Sequence, residues 1–265
     1  APEQIRGDEA DITGDDARHL IRVLRAVPGD RLILCDGSGR ECLAEIVALE
    51  RERAALKVLE ERTCENEPAV HIRIAQSLPK GDKFETVIQK GTEIGASAFL
   101  PFVSARTVVQ YDARQEARRV DRWRKIAKEA AEQAHRGRVP LVSEPMRWSE
   151  LLDAAAEAKL ALLCYEKESA SLLRDVLRAA GPLRRGDTVL IVVGPEGGFT
   201  DAEVAEARRR DALRGRHVRW SGAGSAGEGQ GRAEGIDDHG NLLVVRDDGR
   251  RLALNSGEVT VRPND

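Results

Sequence analysis

The chain has 265 residues, 41% of them hydrophobic, 33% charged and 3% aromatic, with a formal net charge of -3. That length admits two or three domains, each able to bury a core. The near-neutral balance excludes a protein that meets nucleic acid over its whole surface, so an RNA or DNA site must be a local patch.

The four cysteines, Cys35, Cys42, Cys64 and Cys164, lack metal-type or CxxC spacing, and the five histidines are equally scattered. No metal site is expected, and free thiols fit a reducing, cytoplasmic location. No signal-peptide pattern follows Ala1 and no apolar run is long enough for a bilayer, so no membrane association is expected. A start at Ala1 rather than Met is consistent with loss of a residue or a short segment.

Residues 1–66 read as short strands that build a small β-barrel. Arg31 to Cys35 is apolar and lies between the turn signals Pro28-Gly29-Asp30 and Asp36-Gly37-Ser38-Gly39. Glu41 to Leu49 and Ala54 to Leu59 continue the pattern. Asp15 to Leu24 reads as a short helix with Leu20, Ile21 and Leu24 on one face. His19, Arg22 and Arg25 gather around it, and such a cluster is either a solvated helix face or a phosphate contact. Thr63 to Pro68 reads as a polar linker.

From Val70 strands and helices alternate, the α/β signal. His71 to Ala75 is a strand, Lys80-Gly81-Asp82-Lys83 a basic turn, and Phe84 to Ile94 a helix with Phe84, Val87, Ile88 and Ile94 on or near one face. Phe99 to Phe102 is the second strand. Arg118 to His135 is a long helix whose buried stripe is Trp123, Ile126, Ala127, Ala130, Ala131 and Ala134, with Gly137 as its C-cap. The polar end of that helix, Glu132 to Arg138, can cap it or bind an anion or a base. Leu151 to Ala158 and Leu172 to Ala180 are helical. Leu160 to Cys164 is a strand with Glu166 just beyond it.

Strand Thr188 to Val193 then leads into Gly194-Pro195-Glu196-Gly197-Gly198-Phe199 and a helix from Thr200 to Arg210. Thr200 and Glu203 have capping-box spacing. Strand, glycine turn and helix is where α/β proteins place ligands, because glycines let the backbone come close. On this stretch alone, a tight turn with no ligand reads equally well. Two adjacent parallel strands ending at Glu166 and Gly194 would form one crevice.

Several blocks together resemble the bacterial methyltransferases that methylate N3 of a uridine in small-subunit ribosomal RNA. They are His19-Leu20-Ile21-Arg22-Val23-Leu24-Arg25, Gln76 to Glu85, Gln89 to Gly95, Glu132 to Arg136, and Val193 to Phe199. The blocks are collinear over residues 1 to about 210. This family is similar to the knotted SPOUT methyltransferases, which join a PUA-like barrel to an α/β domain, use S-adenosylmethionine and act as homodimers. The resemblance implies that Val193, Gly194, Glu196, Gly197 and Gly198 form a cofactor loop, with Leu163 and Glu166 beside it. It implies that Arg22, Arg25, Lys80, Lys83 and Lys90 face RNA. Gln133 and Arg136 would sit near the reaction centre, where Arg136 would stabilise the anion that develops as uridine N3 loses its proton.

Beyond Asp211 the chain departs from that family, whose pattern continues with a last strand, a turn and a helix. Arg216 to Trp220, Arg232 to Asp237, Leu242 to Arg246, Arg250 to Asn255 and Glu258 to Arg262 read as strands. Asp238 to Asn241 and Asp247 to Gly249 read as turns, and the Gly/Ser/Ala stretch Ser221 to Gly231 as a flexible loop. On Gly231 to Asp237, Leu242 to Val244 and Ser256 to Val259, this tail resembles the C-terminal SH3-like domain of biotin–protein ligases. The catalytic domain of those ligases has no counterpart, so ligase activity is not expected. The join near residue 211 reads as a natural fusion, a recombinant chimera or an assembly artefact.

The expected architecture is an α/β SPOUT-like domain over residues 70–211 with an incomplete knot. A PUA-like RNA-binding β-barrel over 1–66 precedes it, and an SH3-like β-barrel over 212–265 follows. The backbone after Phe199 is expected to run out to that separate barrel. The expected function is S-adenosylmethionine-dependent N3-methylation of a uridine in small-subunit ribosomal RNA, impaired by the replaced C-terminus. The rival is a non-catalytic RNA-binding module, or a fusion product whose tail contacts a biotin-carrier protein.

Overall fold

A computed structural model describes residues 4–108, 112–169, 172–209, 217–222, 227–236, 241–254 and 259–263. The join near residue 211, the turn residues Asp238 to Gly240 and the segment Ser256 to Glu258 lie outside the described residues.

The elements in chain order are β1 (Ile5–Arg6), β2 (Glu9–Thr13), α1 (Gly14–Arg22), β3 (Arg31–Cys35), β4 (Arg40–Glu50), β5 (Arg53–Thr63), β6 (His71–Ser77) and α2 (Lys83–Glu93). Then come β7 (Ala98–Val103), α3 (Ala113–Gln133), β8 (Leu141–Val142), β9 (Met146–Arg147), α4 (Trp148–Ala156), β10 (Leu160–Cys164), α5 (Leu173–Ala179), β11 (Thr188–Val193) and α6 (Asp201–Arg209). The tail supplies β12 (His217–Gly222), β13 (Gly229–Ile236), β14 (Leu242–Arg246), β15 (Arg251–Leu254) and β16 (Val259–Pro263).

The chain divides into two compact units built from interleaved segments. The first takes Ala1–Pro68, Glu85–Ser97 and Arg118–Val142. Its antiparallel sheet has the order β1-β2-β5-β4-β3. Alternate residues of β4 and β5 point inward, as a strand's period of two requires. Cys42, Ala44, Ile46, Ala54, Leu56 and Val58 therefore share one core with Ala10 and Leu20. Helix α3 buries Val120, Trp123, Ala127, Ala130 and Ala131, close to the expected stripe.

Three expectations for this unit are corrected. Ile94 is 81% exposed. Helix α2 ends at Glu93, and the chain then turns through Gly95 at φ 103, while the positions in helical phase with buried Ile88 are the buried Gly91 and Thr92. Gly137 is not the cap of α3. His135 takes the left-handed position at φ 51, and Arg136 N donates back to Ala131 O at 2.8 Å. Gly137 is needed for a different reason, because a Cβ there would lie 2.4 Å from Cys64 Cβ. The segment Thr63 to Pro68 is also no free linker. Cys64 is buried and Glu67 is ion-paired with Arg136.

The second unit takes Ala69–Phe84, Ala98–Ala117 and Ser143–Asp265. Its parallel strands run β10-β11-β6-β7, with β9 beside β7. β7, β10 and β11 are apolar runs, as parallel strands commonly are, whereas β6 carries His71, Arg73, Gln76 and Ser77. Ala75, Leu100, Phe102, Leu190 and Val192 from the sheet pack with Leu151 of α4, Phe199, and Val204 of α6. The capping box of α6 is present: Glu203 N donates to Thr200 Oγ1 at 3.2 Å, and Thr200 N donates to Glu203 Oε2 at 2.9 Å.

The tail forms a second antiparallel sheet in the order β15-β14-β13-β12-β16, with Val218, Trp220, Ala233, Leu242, Val244 and Leu254 in its core. Among the described residues, none of its strands pairs with the parallel sheet. The expected loop Ser221 to Gly231 is strand at both ends, because β12 reaches Gly222 and β13 begins at Gly229, while residues 223–226 lie outside the described residues. Its glycines serve close packing. A Cβ at Gly231 would lie 2.3 Å from Val245 O, and one at Gly229 would lie 2.5 Å from the Trp220 ring.

Candidate functional site

The strands β10, β11, β6 and β7 all end on one edge of the parallel sheet. Cys164 stands opposite Val193, Val193 opposite Gln76, and Ser77 opposite Phe102. The expected crevice opens there. It is about 520 Å³ and is lined by Cys164, Tyr165 and Glu166 after β10 and by Val193 to Gly198 after β11. That volume suits a small-molecule ligand.

Glycine suits this loop at two points, by backbone conformation at Gly198 and by close contact at Gly194. Gly198 sits at φ 67, and a Cβ there would lie 2.3 Å from Glu166 Oε1. A Cβ on Gly194 would lie 3.0 Å from the Phe199 ring. Phe199, fully buried, stacks on Phe102 at 6.4 Å and meets Trp148 at 5.5 Å, so three aromatic rings support the loop. Leu163 is partly buried and packs on the apolar core of the unit.

Polar side chains fix the same loop. Gln76 Nε2 donates to Gly194 O at 3.1 Å and to Ser77 O at 3.0 Å. Arg106 Nη1 donates to Gly197 O at 2.5 Å. Lys83 Nζ donates to Glu196 Oε1 at 2.9 Å, and Lys80 N donates to the same oxygen at 3.3 Å. Tyr165 Oη and Lys167 Nζ both donate to Asp201 Oδ1, at 2.8 and 2.9 Å, which joins the loop after β10 to the start of α6.

The hydrogen bond from Lys83, aided by backbone donors, pulls the Glu196 carboxyl down to about 2. A depressed carboxyl stabilises the loop above its ordinary value of 4.5 and loses that contribution as pH falls towards about 2. The pair is therefore intact through the neutral range. Replacing Lys83 by methionine removes the largest cause, so the Glu196 midpoint should rise towards the usual carboxylate range. Carboxyl-carbon NMR titration reads this directly, and an unmoved midpoint would contradict it.

The remaining expected residues lie in the first unit. Arg22 and Arg25 are exposed at the end of α1, and Arg25 holds the left-handed φ of 53. Lys90 is exposed and donates to both oxygens of Glu93 at 2.9 Å. Gln133 is exposed at the end of α3. Arg136 is buried. Its Nη2 donates to Glu67 Oε2 at 2.7 Å, its Nε to Glu67 Oε1 at 3.3 Å, and its Nη1 to Ala96 O and Thr92 O at 2.5 and 3.2 Å. This is an anchoring arrangement, which ties the end of α3 to the segment after β5 and to the turn after α2.

Sequence reasoning missed Arg106 and gave Gln76 no role. Their signal was positional, since Gln76 is near the carboxyl end of β6 and Arg106 lies in the turn after β7. Desolvation by burial raises all four thiols, Cys35 to about 11, so none is a ready thiolate near neutral pH. Among the described residues, no cluster of histidine, cysteine or carboxylate side chains is arranged for a metal ion. No helix among them is long and apolar enough to cross a membrane.

An α/β unit with a glycine-lined crevice at its strand ends, in a chain that also carries a small antiparallel sheet, defines a ligand-binding architecture rather than one reaction. The comparisons narrow it. The family model for the RNA methyltransferase domain matches residues 65–214, the RNA methyltransferase PUA domain matches 12–59, and the biotin protein ligase C terminal domain matches 215–262. The chain belongs to the RNA methyltransferase family. It is 38% identical over 203 residues to ribosomal RNA small subunit methyltransferase E of Bacillus subtilis (strain 168), covering 76% of this chain and 79% of that one. It is 32% identical to the protein of the same name from Mycobacterium bovis (strain ATCC BAA-935 / AF2122/97), covering 75% of each. The crystal structure of a ribosomal RNA small subunit methyltransferase E from Neisseria gonorrhoeae bound to S-adenosyl methionine is similar, with a TM-score of 0.68 and 33% identity. That match covers 79% of this chain and 84% of the other.

Proposed function

We propose that the protein transfers a methyl group from S-adenosylmethionine to N3 of a uridine in small-subunit ribosomal RNA, in the cytoplasm and as a homodimer. The observation that carries this reading is the backbone-lined crevice at the ends of β10 and β11. Its residues fit the cofactor. The crevice is lined by backbone at Gly194, Gly197 and Gly198, and the Glu166 carboxylate beside Gly198 offers an acceptor or a counter-charge. The relatives named above carry the rRNA methyltransferase activity in their names.

When bound, S-adenosylmethionine supplies a methyl group on a sulfonium sulfur. Gly194, Glu196, Gly197 and Gly198 would hold it, with Val193, Leu163 and Glu166 alongside. The loop's part is positioning, which can contribute about 7–11 kcal/mol in well-oriented reactions. Lys80 and Lys83 in this unit, and Arg22, Arg25 and Lys90 in the other, would meet RNA phosphates. Gln133, exposed, is the side chain we assign to the reacting base. Arg136 would act there only by giving up its bonds to Glu67, so we assign it the anchoring role first.

A second reading is favoured by one observation. After α6 the described chain forms a sheet of its own, with none of its strands added to the parallel sheet. The knot is then incomplete and the crevice lacks a wall, which leaves an RNA-binding module without methyl transfer. Small ribosomal subunits lacking the modification, incubated with radiolabelled S-adenosylmethionine, separate the two. Label on a uridine, with a reverse-transcription stop where N3 is blocked, supports the enzyme. Retained RNA binding without label supports the module.

A further inference from the structure

We propose that Arg106 is a positioning residue that selects the backbone conformation of the Gly194 to Gly198 loop, and that Glu203 and three hydroxyl groups hold Arg106 in place. This rests on reading that loop as the methyl-donor site. A Gly-Gly pair has many accessible conformations, because neither residue carries a Cβ. The turn bond from Gly198 N to Pro195 O at 2.9 Å closes the loop, but the Gly197 carbonyl must still be oriented from outside, or the binding entropy falls on the ligand. The bond from Arg106 Nη1 to Gly197 O fixes the orientation of the peptide between Gly197 and Gly198. The arginine stem also packs there, with Cδ 3.5 Å from where a Gly197 Cβ would lie.

The arginine is itself exposed, so its precision depends on its backbone. That backbone is pinned on both sides. Ser104 N donates to Thr107 Oγ1 at 2.8 Å, and Thr107 N donates to Ser104 O at 3.0 Å. Ser77 Oγ lies 3.0 Å from Ser104 Oγ and 2.9 Å from Thr107 Oγ1, which fastens the turn to the end of β6. Ala105 N donates to Glu203 Oε1 at 2.8 Å. Glu203 is 6% exposed, and its other oxygen accepts from Thr200 N and Thr200 Oγ1. One buried carboxylate thus joins the residue before Arg106 to the exit of the glycine loop. A residue kept only for RNA charge would need none of this support, since a phosphate contact tolerates a mobile side chain.

The test compares Arg106→Ala and Arg106→Lys with the unaltered chain. S-adenosylhomocysteine binding is measured by calorimetry, RNA binding by filter retention, and the amides of Gly197 and Gly198 by NMR without ligand. Arg106→Ala should weaken S-adenosylhomocysteine about tenfold or more, as expected for a lost charged hydrogen bond. RNA affinity should hold, and the two glycine amides should shift or broaden. Arg106→Lys, which retains one donor, should recover part of the affinity. Glu203→Gln serves as the second variant and should move the same amides while Arg106 is present. Unaltered amides in Arg106→Ala overturn the inference, as does a loss of RNA affinity with ligand affinity intact. If the unaltered chain binds no S-adenosylhomocysteine, the functional reading fails, while the amide signals still decide the role of Arg106.

Discussion

Replacing Arg136 with alanine is expected to destabilise the protein by about 3–5 kcal/mol, the usual cost of removing one partner of a buried ion pair. The Arg136 side chain is 6% exposed and that of Glu67 is 14% exposed. Among the described residues, alanine leaves the Glu67 carboxylate with the backbone N–H of Arg138, at 3.0 Å. It also strips a donor from the carbonyls of Thr92 and Ala96. Lysine should recover little, because one ammonium cannot reproduce a planar fork that serves a carboxylate and two carbonyls. Chemical denaturation of the whole chain measures the effect, with Lys90→Ala as a control. That exposed pair should be worth about 1 kcal/mol or less. A loss for Arg136→Ala as small as the control's would remove the anchoring role. Single-turnover methylation, measured where the variant remains folded, then tells whether the side chain also serves the reacting base.

The second large effect is expected at Gly198. A β-branched residue at φ 67 is a steric outlier, and its Cβ would also displace the Glu166 carboxylate. Gly198→Val should therefore cost about 1–3 kcal/mol of backbone strain if the loop keeps its bound form. Taken from ligand binding, that weakens S-adenosylmethionine by about 5- to 150-fold. Gly198→Asn should be milder, because asparagine tolerates the left-handed region. Calorimetry with S-adenosylhomocysteine gives both values. Equal affinities for valine and glycine at this position would show that the loop's conformation does not matter to the ligand. The same strain lowers overall stability to the extent that the ligand-free loop keeps φ 67, so chemical denaturation of each variant accompanies the calorimetry.

Much of the second unit was legible in the sequence because local and tertiary preferences agree there. Leu160 to Cys164 and Thr188 to Val193 pair as parallel strands, and their apolar runs between polar turns mark them. Thr200 and Glu203 form their capping box from spacing alone. The misses share a different cause. Gly137, Gly229 and Gly231 were read through the usual roles of glycine, in caps and flexible loops. Their actual work is close approach to Cys64, Trp220 and the backbone at Val245, and those neighbours are distant in sequence or in the adjoining strand. Ile94 was assigned by helical period, one residue past the helix's end. Arg106 carries no motif. Its importance comes from a partner 91 positions away, which spacing cannot reveal.

The interleaving of the first unit has a consequence for how the chain can be made and cut. Its antiparallel sheet is complete by Thr63, yet the unit also requires residues up to Val142. Lys128 reaches Asp16, Arg136 reaches Glu67, and Gly39 N donates to Gly137 O at 3.0 Å. A ribosome synthesising this chain therefore delivers the first half of the unit long before its closing helix, and the early strands must wait for it. The closing contacts are long-range, so loop-closure entropy sets the pace of that step. A fragment ending at Pro68 would carry every strand of the sheet and still lack the buried partners of Glu67 and Cys64.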